Sequence, residues 1–104
     1  MAKPDGSELA PVFKALGDPT RLKILDLLKT HGRSCCDLVS ASERGLCACD
    51  IEAAVGLSQA AVSHHMDVLK RAGLVSAQKR GRWMFYSRNE AAIGNLSETL
   101  AKAV

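Results

Sequence analysis

The 104-residue sequence predicts a mainly α-helical chain with a β-hairpin, an α+β domain built on one core. Three observations predict it. A short helical pattern over Ile51–Gly56 is followed at once by a longer one over Ser58–Ala72, and the glycine between them is the mark of a helix-turn-helix. Two strand-like runs, Leu74–Lys79 and Arg82–Ser87, come directly behind, with Arg80-Gly81 as a two-residue turn. Lys70, Arg71, Lys79, Arg80, Arg82 and Arg88 then fall between positions 70 and 88 without one acidic residue, although residues 1–50 carry seven basic and seven acidic side chains. A helix-turn-helix followed by a basic-tipped hairpin is a winged helix-turn-helix, and a one-signed stretch on a balanced chain points to a polyanionic partner, double-stranded DNA.

Each element has its own signal. Ser7 and Glu8 open a stripe of Leu9, Val12, Phe13 and Leu16, which Gly17 ends, so a helix is expected over about 8–16. Asp18 can cap the next helix, Pro19 suits its first turn, and Leu22, Leu25 and Leu28 form its core face with Ile24 and Leu27 beside them. Gly32 is a natural stop, and His31 before it complements the helix dipole. Residues 33–46 are rich in Ser, Cys and charge and too long for a simple turn, so they read as a Cys-bearing insertion. Asn89 caps a last helix over about 89–103, with Ile93, Leu96 and Leu100 as its stripe. The whole chain, 1–104, then forms a single domain. Leu9, Phe13, Leu96 and Leu100 exceed what so small a core buries, so the terminal helices are expected to join two copies into a homodimer.

The face of the second motif helix carries the reading chemistry. Advancing 100° per residue from Ser58 gathers Val62, His65, Met66 and Leu69 on one side and Ala60, Ser63, His64, Asp67 and Arg71 on the other, with Gln59 and Lys70 at the flank. Small residues let a helix approach a major groove, Gln pairs with adenine edges, and Ser and His meet bases or phosphates. Arg80 and Arg82 at the hairpin tip, with Lys79 and Arg71 nearby, suit phosphates or the minor groove. A merely solvated surface helix accounts for the polarity but not for the basic hairpin behind it. His65 points inward and reads as a packed or hydrogen-bonded residue.

All four cysteines lie between Cys35 and Cys49. A disulfide framework would spread its staples along the chain, so clustered thiols suggest metal or redox chemistry. The polar amino terminus lacks a secretory signal and no apolar run approaches the roughly 18 residues of a membrane span, so a cytoplasmic protein with no membrane partner is expected. There is no Gly-rich phosphate loop, no Ser-His-Asp set and no Cys-x-x-Cys beside a βαβ pattern. These absences speak against an enzyme and against an organic cofactor.

The segments Ala15-Leu16-Gly17-Asp18-Pro19-Thr20-Arg21-Leu22-Lys23-Ile24-Leu25 and Leu57-Ser58-Gln59-Ala60-Ala61-Val62-Ser63-His64-His65-Met66, continuing through Val68–Val75, resemble the arsenic- and metal-responsive ArsR/SmtB repressors. The resemblance covers about residues 9–104. It implies a homodimeric winged helix-turn-helix repressor that leaves a palindromic operator when an inducer binds, and DNA contacts at Ser58, Gln59, Ala60, Ser63 and His64. Leu46-Cys47-Ala48-Cys49-Asp50-Ile51 is similar to the family's arsenite-sensing motif, in which a third thiolate often lies three positions after the second Cys. That position is Glu52 here, so Cys35 or Cys36 is expected to replace the missing sulfur. The expected inducer is trivalent arsenic (arsenite) or antimony, held by Cys47, Cys49 and at least one of Cys35 and Cys36, because soft ions prefer thiolates. Methylated arsenicals, which need only two thiolates, belong to the same class. The alternatives are another soft metal (cadmium, lead or zinc), thiol oxidation, structural zinc, and simple burial of the thiols. The last helix has Glu90 and Glu98 but no His, unlike zinc-sensing relatives. Residues two apart on a helix point about 200° away from one another, so Cys47 and Cys49 are expected to share an ion only if the first helical turn is extended or distorted. Binding is then expected to unwind or displace that helix.

Overall fold

The computed structural model describes residues 6–30 and 45–103. Its elements run α1 (Gly6–Leu16), α2 (Pro19–Thr30), β1 (Leu46–Cys47), α3 (Ala48–Val55), α4 (Gln59–Arg71), β2 (Val75–Arg80), β3 (Trp83–Arg88) and α5 (Glu90–Ala103). The starts of α2, α4 and α5 are built as the sequence predicts. The Asp18 carboxylate accepts the N–H groups of Thr20 at 2.8 Å and Arg21 at 3.3 Å, satisfying two donors that α2 leaves open. Ser58 Oγ accepts from Ala61 N at 3.2 Å, and Asn89 Oδ1 from Ala92 N at 3.1 Å. Gly56 ends α3 in the left-handed region at φ 69°, with its N–H on the Glu52 carbonyl at 2.9 Å.

The core lies where α2, α3, α4 and the sheet meet. Ile24, Leu25 and Leu28 of α2 pack with Ile51 of α3 and with Val62, Met66 and Leu69 of α4, and Ala15, Leu46, Leu74 and Val75 close the cluster. Burying each of the larger side chains removes enough apolar surface from water to contribute about 1.5–3 kcal/mol. Of α5 only Ile93 packs against this core, and Phe13 of α1 stays 46% exposed, so apolar surface is left on both terminal helices. No helix among the described residues is long and apolar enough to cross a membrane.

The sheet departs from the sequence reading in two ways. It has three antiparallel strands in the order β1-β3-β2, not a hairpin alone. Leu46 pairs with Tyr86 and Cys47 with Phe85, so Leu46 belongs to the wing sheet and the core, not to the insertion expected over 33–46. A two-residue strand is too short to show a period, which is why it was hidden in the sequence. The hairpin turn is Gly81-Arg82, one residue later than expected, with Arg80 paired to Trp83. Gly81 sits at φ 62°, and a tight turn with glycine first among its two central residues needs that residue inside the turn, so Arg80 moves into the strand. Helix α3 also begins at Ala48, three residues before the expected Ile51. His31, Gly32, Cys35 and Cys36, with most of the expected insertion, lie outside the described residues.

Candidate nucleic-acid interface and thiol site

Helix α4 presents two faces. Val62, Met66 and Leu69 are buried and His65 is half-buried, while Gln59, Ala60, Ser63, His64, Lys70 and Arg71 are exposed, as the helical spacing predicts. Ser58 Oγ is occupied as an acceptor by its cap bond, which leaves its O–H able to donate outward. Arg71 Nε lies 3.0 Å from Asp67 Oδ2 on the next turn of the exposed face. Such an exposed pair holds with only about 0.3–0.5 kcal/mol.

The shifted turn separates the two wing arginines. Arg82 is exposed, its guanidinium 5.1 Å above the Trp83 ring. Arg80 folds back instead: its guanidinium lies 4.7 Å from the Phe85 ring centroid and donates to Gln78 Oε1 at 2.7 Å. The structure therefore places Lys79 and Arg82 outward and Arg80 against the sheet. A one-residue slip changes which face a strand residue occupies, and the sequence had Arg80 in the turn.

The thiols meet at the joint between wing and helix-turn-helix. Cys47 is the last residue of β1 and the N-cap of α3, with extended backbone at φ −65° and ψ 147°. Cys49 follows inside the first helical turn. Because Cys47 stands outside the helix, the roughly 200° divergence between residues two apart does not apply, and the Cys49 thiol donates to Cys47 Sγ at 3.1 Å. The expected extension of the first turn is present, but α3 is intact around it. Unwinding is therefore not needed to bring the sulfurs together.

Cys47 is 1% exposed, and its N–H donates to Asp50 Oδ2 at 3.2 Å. Among the described residues no third His, Cys, Asp or Glu completes a metal-holding group with this pair. Donors of this softness suit a thiophilic ion, and the candidate third sulfurs, Cys35 and Cys36, fall outside the described residues.

Two further residues shape the site and were not singled out from sequence. Gly45, at φ 140°, lets the chain press onto β3, where a Cβ would sit 3.0 Å from the Tyr86 carbonyl oxygen. A lone glycine before a leucine carries no readable signal of this. Asp50 had a legible one, since a carboxylate three residues after an N-cap can reach back to the cap's N–H.

Residues 40–77 match the model of a family described as bacterial regulatory protein, arsR family. The chain is 43% identical over 74% of its length to an uncharacterised HTH-type transcriptional regulator of Methanocaldococcus jannaschii, covering 73% of that protein. It is 34% identical over 94% of its length to a cadmium resistance transcriptional regulatory protein CadC homolog of Staphylococcus aureus, covering 71% of it. It is also 37% identical over 89% of its length to an arsenical resistance operon repressor of Staphylococcus xylosus, covering 77% of it. Among solved structures, a homodimeric winged helix-turn-helix DNA-binding domain from Mycobacterium bovis superposes with a TM-score of 0.65 at 27% identity, over 98% of this chain and 91% of that one.

Proposed function

Because the chain belongs to the arsR family of bacterial regulatory proteins, whose members are DNA-binding transcriptional regulators and not enzymes, we propose that it is a homodimeric repressor released from its operator by trivalent arsenic or antimony. The observation that carries this reading is the Cys47–Cys49 sulfur pair, 3.1 Å apart at the joint between β1 and α3. Cys47 and Cys49 would hold the inducer with Cys35 or Cys36 as the third ligand, each thiol giving up its proton, which would leave with one of the inducer's hydroxyls as water.

The chain's own residues supply the route from there. Cys47 is held by its strand pairing to Phe85, by the Asp50 carboxylate and by the Cys49 thiol, so moving it acts on both the wing and the start of α3. Helix α3 packs on α4, so the recognition helices of the two copies lose their matched spacing. A hundredfold loss of operator affinity needs only about 2.7 kcal/mol of coupling. On the DNA side, Ser58, Gln59, Ala60, Ser63 and His64 address the major groove, and Arg71, Lys79 and Arg82 address phosphates. Arg80 supports the hairpin from beneath. A palindromic operator follows from the two-fold axis of the dimer.

A second reading keeps the fold and changes the inducer. The cadmium regulator among the relatives favours a soft divalent ion, and the closeness of the two sulfurs also suits a reversible disulfide. One experiment separates these: anisotropy of labelled operator bound by the protein, titrated with arsenite, antimonite, phenylarsine oxide, cadmium, lead, zinc and a mild thiol oxidant, for wild type and the four single Cys→Ser variants. Arsenite and antimonite should release the wild type, while Cys47→Ser and Cys49→Ser keep the operator and ignore both. Normal arsenite release from those two variants would remove the site.

A further inference from the structure

One side chain ties together the terminal helix, the scaffold and the reading helix. Arg21, in the first turn of α2, donates from Nε to the Ala15 carbonyl at 2.7 Å and from Nη2 to the Lys14 carbonyl at 3.1 Å. Those carbonyls belong to the last turn of α1, where helix ends run short of donors, and the Lys14 carbonyl also accepts from Gly17 N at 3.3 Å. From Nη1 the same guanidinium reaches His65 Nδ1 at 3.1 Å, in the middle of α4. The Asp18 carboxylate fixes the arginine's backbone by accepting its N–H.

A guanidinium can only donate, so Nδ1 of His65 accepts, and the ring proton sits on Nε2. His65 is therefore neutral in this arrangement. Its neighbour on α4, His64, lies on the exposed DNA-facing side with its ring centroid 5.7 Å away.

We propose that Arg21 and His65 are positioning residues for DNA binding: their hydrogen bond sets the stance of α4 against α1, and protonation of His65 opens it. α1 carries exposed apolar surface suited to a second copy, so this stance fixes how far apart a dimer holds its two reading helices. A protonated His65 turns Nδ1 from acceptor to donor and sets it against a cation. The charged and titratable groups shown at the ring are Arg21 and Asp18 at the start of α2 and His64 on α4 itself. Asp18 feels the Arg21 charge and, once His65 is protonated, the imidazolium charge, whose pull toward this carboxylate is opposed by the guanidinium hydrogen-bonded to the ring.

The test is operator anisotropy with the full dimeric protein from about pH 8 to pH 5.5, the range in which histidine changes charge. The variants are His65→Ala, His65→Asn, Arg21→Ala and the double variant Arg21→Ala/His65→Ala. His65→Ala should weaken binding about tenfold at the alkaline end, the worth of one charge-assisted hydrogen bond. His65→Asn, whose Oδ1 offers an acceptor that does not titrate, should restore most of that affinity.

Wild type should weaken relative to His65→Asn as pH falls. His64 is present in both proteins, so the ratio of the two reports on position 65. Arg21→Ala should cost at least as much as His65→Ala, and the double variant should be no weaker than Arg21→Ala. Because Arg21 also closes α1, the His65 pair carries the test if Arg21→Ala folds poorly. Nitrogen NMR of the imidazole should show an unprotonated Nδ1 at the alkaline end. Operator binding by His65→Ala equal to wild type, or a His65→Asn profile parallel to wild type across the pH range, would overturn the proposal.

Discussion

Cys47 faces Phe85 across β1 and β3, and this pairing puts the buried thiol on the same side of the sheet as the wing arginine. Partners in register share a face, and so do alternate residues along a strand. Cys47, Phe85, Gln78, Trp83 and Arg80 therefore line one side, while Leu46, Tyr86 and Ala77 line the side toward the core. The Phe85 ring is 3% exposed with the Arg80 guanidinium over it, so a displaced Cys47 has a short mechanical path into the hairpin.

That path can be read directly, because Trp83 is the only tryptophan of the chain and sits in the wing. Arsenite should change Trp83 emission in step with the loss of reactive thiol. In Phe85→Leu the thiols should still be protected by arsenite while the emission change shrinks, at a stability cost of about 1–2 kcal/mol for the lost ring contacts. An unchanged Trp83 signal in the wild type during operator release would leave α3 as the sole route.

Gly45→Ala should loosen β1. The new Cβ would meet the Tyr86 carbonyl oxygen at 3.0 Å in a backbone conformation, φ 140°, that side chains rarely adopt. A loss of about 1–3 kcal/mol is expected by denaturant unfolding. Cys47, now 1% exposed, should react faster with a thiol reagent.

Arg80 and Arg82 should behave differently in salt. Arg82→Ala removes an exposed cation and should lower the slope of log affinity against log salt by about 1. Arg80→Ala should leave the slope nearly unchanged and lower thermal stability, since its guanidinium stacks on Phe85. Equal slope changes for both variants would place Arg80 on the phosphates as well.

Asp18 should make part of the stability acid-sensitive. Partial desolvation raises its pKa, but the N–H groups of Thr20 and Arg21, the Arg21 guanidinium and, once it is protonated, His65 outweigh this and hold it below the ordinary 3.8. A carboxylate depressed in the folded state stabilises fully above the unfolded value and loses that contribution as pH falls through the folded one. Asp18→Asn keeps a capping oxygen without the titration, so its stability should fall less steeply than wild type below about pH 4.

Phe13→Glu should shift the protein toward monomer in sedimentation velocity and weaken operator binding. Phe13 is 46% exposed on α1, and Leu96 and Leu100 of α5 lie outside the core cluster. A fully dimeric variant with wild-type affinity would move the contact elsewhere.

The sequence by itself determined the helices apart from the start of α3, the caps at Asp18, Ser58 and Asn89, the two faces of α4 and the winged helix-turn-helix class. These depend on local spacing: Asp18, Ser58 and Asn89 each act within three residues of themselves, and Val62, Met66 and Leu69 repeat at the helical period. The Cys-x-Cys pair was legible as chemistry, and so was the inward turn of His65. What the tertiary structure alone decided were relations between distant segments. The Leu46–Cys47 strand exists only because β3 offers it an edge, and by drawing Cys47 out of the helix it brings the two sulfurs together without unwinding α3. The place of the turn at Gly81-Arg82 set Arg80 on Phe85. The Arg21–His65 bond joins residues 44 positions apart, and no local pattern records which partner a guanidinium will find.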